Sequence, residues 1–242
     1  MPNTLVIGKD LPDGLDFAKA VAGTGRKIFT CTKTEADAVN FESQELFGST
    51  WNKGSAVSAY SFLVKAETKL QKINEVIFYF DTNYFTTKFD SERTDEIAAA
   101  IDAMVYPYMY ACGELLKRLE QTREKTLVSF LLREYPSKHE MLSAKTPGGV
   151  PASTVVSAAQ AAFISLAESF STNVSERNYL SVILARCSQT NELYKSESSL
   201  ARWLTEAMES ISNQKNPQTV KQASTWNKAG SKIQTGFGLF SR

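Results

Sequence analysis

Short apolar runs alternate with stretches of helical spacing along almost the whole chain, and this alternation limits the folds open to it. NTLVIG (3–8), RKIFTCT (26–32), NEVIFYFD (74–81), KTLVSFLL (125–132) and NYLSVILAR (178–186) read as buried strands. Between them lie LDFAKAVAGTG (15–25), SFLVKAETKLQKI (61–73), a long helical stretch over 94–124, a second over 153–172 and SLARWLTEAMESIS (199–212). Strands that alternate with helices form a mostly parallel sheet with helices on both faces, so an α/β fold is expected. EADAVNFESQELFG (35–48) reads as weakly helical or irregular, and SAVSAY (55–60) as a short strand. Thr94 is a candidate N-cap for the long helix, and Pro107 inside it predicts a kink. Ser153 or Thr154 is the candidate cap of the later helix. No Pro/Gly/Ser-rich linker and no repeat interrupts the pattern, so residues 1–242 are read as one domain.

Composition excludes some functions. Apolar residues make up 43% and charged residues 22%, ordinary values for a globular chain with a real core. The net charge is +1, with both signs mixed along the sequence. Nucleic acid and anionic membrane are therefore not expected partners, because both need a concentrated basic face. No apolar run approaches a membrane span, and MPNTLVIGKDLPDG lacks the pattern of a secretion signal. Cys31, Cys112 and Cys187 lie far apart with no CxxC spacing, which suggests neither a zinc site nor a redox pair. A cytoplasmic location with reduced thiols is expected. His139 is the one histidine, so a histidine-based metal site or relay has no second member.

The glycine turn after the first strand, the long helix followed by TLVSFLL, and the alanine-rich VVSAAQAAFISLAESFS carry a family likeness. Together they resemble the short-chain dehydrogenase/reductase family over nearly the whole chain. The resemblance implies a Rossmann-like doubly wound fold. Family members read something like Tyr-Ser-Ala-Ser-Lys-Ala-Ala on the alanine-rich helix. Here Val156-Ser157-Ala158-Ala159-Gln160-Ala161-Ala162 aligns without a gap. In the family the lysine lies one turn from the tyrosine and favours its phenolate, which exchanges a proton with the substrate. Val156 has no proton to give and Gln160 has no charge. The family's serine position falls at Leu132, with Ser129 three residues earlier, and its asparagine position at Met104.

The cofactor turn departs as well. The family pattern Gly-x-x-x-Gly-x-Gly lets backbone approach a pyrophosphate at a helix N-terminus. Here IGKDLPDGLDF separates Gly8 from Gly14 by five residues, and Asp16 stands at the third glycine position. Asp10 and Asp13 add negative charge, although acids also favour the start of any helix. No acid ends the second strand to hold an adenosine ribose, which disfavours NAD. Lys9 and Lys33 could meet the extra phosphate of NADP, or could be ordinary solvated lysines. FYFDTNYF puts bulky rings where the family keeps small residues. YFTTK (84–88) has the Tyr-x-x-x-Lys spacing, but its setting reads as a loop, where that spacing means little.

Three functional readings follow. The first is a catalytically inactive homologue acting as scaffold or regulatory binding protein, with no cofactor and with the cleft closed by Tyr79, Phe80 and the acids of the first turn. The second is an NADP-dependent oxidoreductase with displaced chemistry near Lys9 and Lys33. The third is a sensor that binds NADP or another small molecule without turnover. The resemblance also implies a homo-oligomer, dimer or tetramer, through helices 94–124 and 153–172. Ala158, Ala159, Ala161 and Ala162 allow close helix approach, and Tyr106, Tyr108 and Tyr110 cannot all face one core. KIQTGFGLF (232–240) is the candidate final strand or part of a binding tail.

Overall fold

A computed structural model describes residues 1–89, 94–135, 153–213 and 225–233. The strands are β1 (Asn3–Leu11), β2 (Lys27–Thr32), β3 (Leu46–Ser49), β4 (Glu75–Asp81), β5 (Thr126–Glu134), β6 (Leu180–Ser188) and β7 (Asn227–Lys228). They form one parallel sheet in the order β3-β2-β1-β4-β5-β6-β7. The helices are α1 (Leu15–Ala22), α2 (Glu35–Asn40), α3 (Ala56–Leu70), α4 (Thr82–Lys88), α5 (Ile97–Met104), α6 (Tyr106–Thr122), α7 (Thr154–Val174) and α8 (Glu197–Ser212). This is the expected Rossmann-like, doubly wound architecture. The order in which strands are added reverses between β1 and β4.

The period-two pattern of the strands builds two cores. Leu5, Ile7, Phe78, Phe80, Phe130 and Leu132 face α3, α5, α6 and α7. Val6, Ile77, Tyr79, Leu131 and Ile183 face the opposite way and meet Phe17 and Val21 of α1 and Leu200, Leu204 and Met208 of α8. Phe163 sits within the first core, its ring 5.2 Å from Phe80, 5.0 Å from Tyr108 and 5.9 Å from Phe130. Rings at these distances contribute beyond the area they bury.

Several expectations need correction. SAVSAY is no strand: Ser55 caps α3 by accepting from the Ser58 N–H at 3.3 Å, and residues 56–60 are the first turns of that helix. The third strand is instead LFGS, at the end of the segment read as weakly helical or irregular, whose first residues do form α2. β1 runs past Gly8 to Leu11. The stretch 94–124 is divided: a 3₁₀ turn over Thr94–Glu96, then α5, then α6 after a break at Val105. Pro107 stands in the first turn of α6, where its missing N–H costs no helical bond. Ser153 is the cap of α7, accepting from the Val156 N–H and donating to the Phe89 carbonyl at 2.7 Å. The observed last strand is β7, N-terminal to the candidate KIQTGFGLF, most of which lies outside the described residues, as do His139 and the Thr94 side chain.

Candidate functional site

In open α/β sheets, ligands bind beyond the carboxyl ends of the strands at the switch point. Three strands carry charged residues near these ends: Lys9 of β1, Asp81 of β4 and Arg133 of β5. α8 starts opposite them with Glu197. Lys9 Nζ lies 2.5 Å from Asp81 Oδ2 and also contacts Glu197 Oε1. Arg133 Nη1 lies 3.0 Å from Asp81 Oδ2 and 3.3 Å from Glu197 Oε1. The other Arg133 Nη donates to the Tyr194 carbonyl, and the guanidinium sits 4.3 Å over the Tyr194 ring. Two cations thus face two anions, and the cluster neutralises itself.

Burial is deep. Asp81 is fully buried, and Lys9 and Arg133 are 8% and 9% exposed. The alternative of Lys9 as a solvated surface lysine is therefore corrected: the strand-end carboxylates draw it inside. Burial alone would disfavour the charged Arg133, but Asp81 holds its pKa above the ordinary value. Burial, reinforced by Asp81 and Glu197, drives Tyr79 well above its usual pKa, and its hydroxyl donates to Asp81 Oδ2 at 3.3 Å. Arg133 Nε, Glu197 Oε2 and Tyr194 Oη are buried without a hydrogen-bond partner.

The β1–α1 turn is held by the chain's own groups. A Cβ on Gly8 would lie 2.6 Å from the Tyr79 carbonyl, and one on Gly14 would lie 2.7 Å from the Lys9 carbonyl. Both glycines thus serve close backbone packing within the chain. At the start of α1 the Gly14 N–H donates to Asp10 O and the Leu15 N–H to Pro12 O. Two of the donors that could face an anion at this helix start, those of Gly14 and Leu15, are thus spent inside the turn. Asp10 pairs with Lys53 at 2.8 Å, and Asp16 is exposed. Asp13 accepts from Lys33 at 2.8 Å and from Tyr84 at 2.9 Å, with Lys88 at 3.4 Å. Lys33 therefore already carries a carboxylate partner.

Of the four positions aligned with family catalytic residues, three belong to one apolar core and the fourth, Gln160, makes polar bonds outside it. Val156, Leu132 and Met104 are 0%, 0% and 1% exposed in one apolar core. Gln160 Oε1 accepts from Thr82 Oγ1 at 2.5 Å and from the Tyr135 N–H at 3.3 Å, tying α7 to the ends of β4 and β5. Ser129 is fully buried with its hydroxyl unpartnered. Tyr79 stacks on Phe17 at 4.5 Å, and Phe80 lies in the core. Tyr108 is buried and donates to the Tyr79 carbonyl at 2.8 Å, whereas Tyr106 is 38% exposed.

YFTTK is the main correction. It is not a loop but the body of α4, because Asp81 Oδ1 accepts from the Asn83 and Tyr84 N–H groups and starts a helix there. Phe85 then anchors that helix against Phe80 at 4.9 Å. Tyr84 and Lys88 accordingly share a face, and Lys88 Nζ donates to Tyr84 Oη. The pair does not favour a phenolate. Burial, the hydrogen bond to Asp13 and the charge of Asp13 all raise the Tyr84 pKa. Lys88 is lowered, chiefly by burial and against the pull of Asp13.

Asp81, Arg133, Tyr194 and Glu197 were not singled out in the sequence, nor was α4 read as a helix. A usable signal existed for two of them: a charge that ends an otherwise apolar strand is aimed at the ligand edge of such a sheet. Glu197 carries no comparable mark. The thiols are buried and none is in a disulfide. Burial pushes Cys31 up to about 12 and Cys187 to about 11, and Cys112 well above its ordinary value. Among the described residues no group of three or more His, Cys, Asp or Glu could hold a metal ion, and no helix is long and apolar enough to cross a membrane.

No family model matches the chain, and no curated protein matches it. Solved structures do. An oxidoreductase from Aeromonas hydrophila assigned to the short-chain dehydrogenase/reductase family superposes with a TM-score of 0.65 at 10% identity, covering 86% of this chain and 91% of that one. A 3-ketoacyl-(acyl-carrier-protein) reductase from Brucella melitensis, complexed with NADH, gives 0.61 at 11% identity over 96% and 98%. A short-chain dehydrogenase/reductase from Vibrio parahaemolyticus gives 0.58 at 15% identity over 84% and 92%. At these identities the likeness establishes the fold.

Proposed function

We propose that this chain is a short-chain dehydrogenase/reductase homologue without catalytic activity, acting as a scaffold or regulatory binding protein. The observation that carries the reading is the ion cluster of Lys9, Asp81, Arg133 and Glu197 across the switch point. It fills with side chains the place where such sheets take a ligand. The turn supports the same reading, since acids and spent N–H groups fit poorly against a doubly negative pyrophosphate. The proton-transfer positions contribute packing through Val156, Leu132 and Met104 and a neutral bridge through Gln160.

Assembly is the function left to the surface, with a second copy of the chain as the partner. Ala158, Ala161 and Ala162 of α7 are exposed, while Ala159 turns into the core. On α6, Met109 is 51% exposed and Gly113 faces open space. Small side chains on one helix beside apolar ones on its neighbour suit helix-to-helix docking. Sedimentation velocity tests this, with a dimer or tetramer expected.

One observation favours a second reading, an NADP-dependent oxidoreductase with displaced chemistry. Tyr84 and Lys88 share a helix face beside Lys33, and Lys9 lies 5.1 Å from the Tyr84 ring. Thermal-shift titration with NADPH and NADH separates the two. No shift at millimolar cofactor is expected. A saturable shift, with carbonyl reduction lost in Tyr84→Phe, would establish the second reading. A shift without turnover would instead mark a sensor.

A further inference from the structure

We draw no further inference here: the strongest candidate, the surface patch that Val57, Tyr60 and Val64 form on the outer face of α3, is an unpartnered apolar helix face, and nothing in the structure shows what covers it.

Discussion

The sheet carries a buried ion cluster at each end, and the two are finished to different degrees. At the amino end Arg26 is fully buried and every guanidinium nitrogen has a partner. Nε meets Glu75 Oε2 at 2.7 Å, Nη2 meets Glu75 Oε1 at 3.2 Å and the Thr205 carbonyl at 3.2 Å, and Nη1 meets Glu209 at 2.9 Å and Thr24 at 2.8 Å. Thr4 adds a hydroxyl to Glu75 at 2.8 Å. At the carboxyl end the charges also balance, but Arg133 Nε, Glu197 Oε2 and Tyr194 Oη lack partners. A buried cation is held in place only when its remaining donors are satisfied. The amino end is thus a completed clamp between β2, β4 and α8. The carboxyl end is an incomplete one, at the edge where relatives of this fold hold ligands.

The largest expected effect lies at the clamp. Arg26→Met leaves Glu75 buried without its cation, so unfolding free energy should fall by about 3–5 kcal/mol, measured by urea denaturation. The double variant Arg26→Met/Glu75→Gln removes the stranded charge but keeps an acceptor for Thr4, and should recover a large part of the loss. A single-variant loss below about 1 kcal/mol would mean that the clamp is ornamental.

This contrast marks how far the sequence could be read. The main strands were legible because a strand covered on both faces is a short continuous apolar run, as in VIFYF of β4, and most helices because burial imposes period 3.6, as along α7. The helix that carries Val156 and Gln160 was legible because its buried residues recur at helical spacing without a break. Neither ion cluster was legible. Arg26 meets Glu75 across 49 positions and Lys9 meets Glu197 across 188, and no local pattern announces such a pair. α4 was missed because its start depends on Asp81, whose side chain caps the helix while its backbone ends a strand. The short LFGS strand lacks length for a period, and only its pairing with β2 defines it.

Glu197→Gln sharpens the contrast at intermediate size. It removes charge from an acceptor whose second oxygen is already unpartnered, while Asp81 still faces both Lys9 and Arg133. The expected loss is about 1–2 kcal/mol, clearly smaller than for Arg26→Met. A loss as large as that of Arg26→Met would make the two ends equivalent and remove the distinction between a finished clamp and an incomplete one.

The smallest effect separates the turn from both clusters by its pH dependence. Burial alone would raise the Asp13 pKa, but hydrogen bonds from Lys33 and Tyr84 and the charges of Lys33 and Lys88 together hold it below its ordinary 3.8. A carboxylate lowered in the folded state stabilises the fold fully above its unfolded value, and that contribution disappears as pH falls through the folded value. Solvent reaches Asp13, so the contribution should be about 0–1 kcal/mol near neutral pH. Asp13→Asn should therefore lower the urea midpoint slightly at neutral pH, and the gap should close in acid below the ordinary carboxylate range. High salt should narrow it too, because this pair is screened where the buried Arg26 clamp is not. A gap that persisted in acid would assign the contribution of Asp13 to turn geometry, leaving its charge no part in holding Lys33 and Lys88.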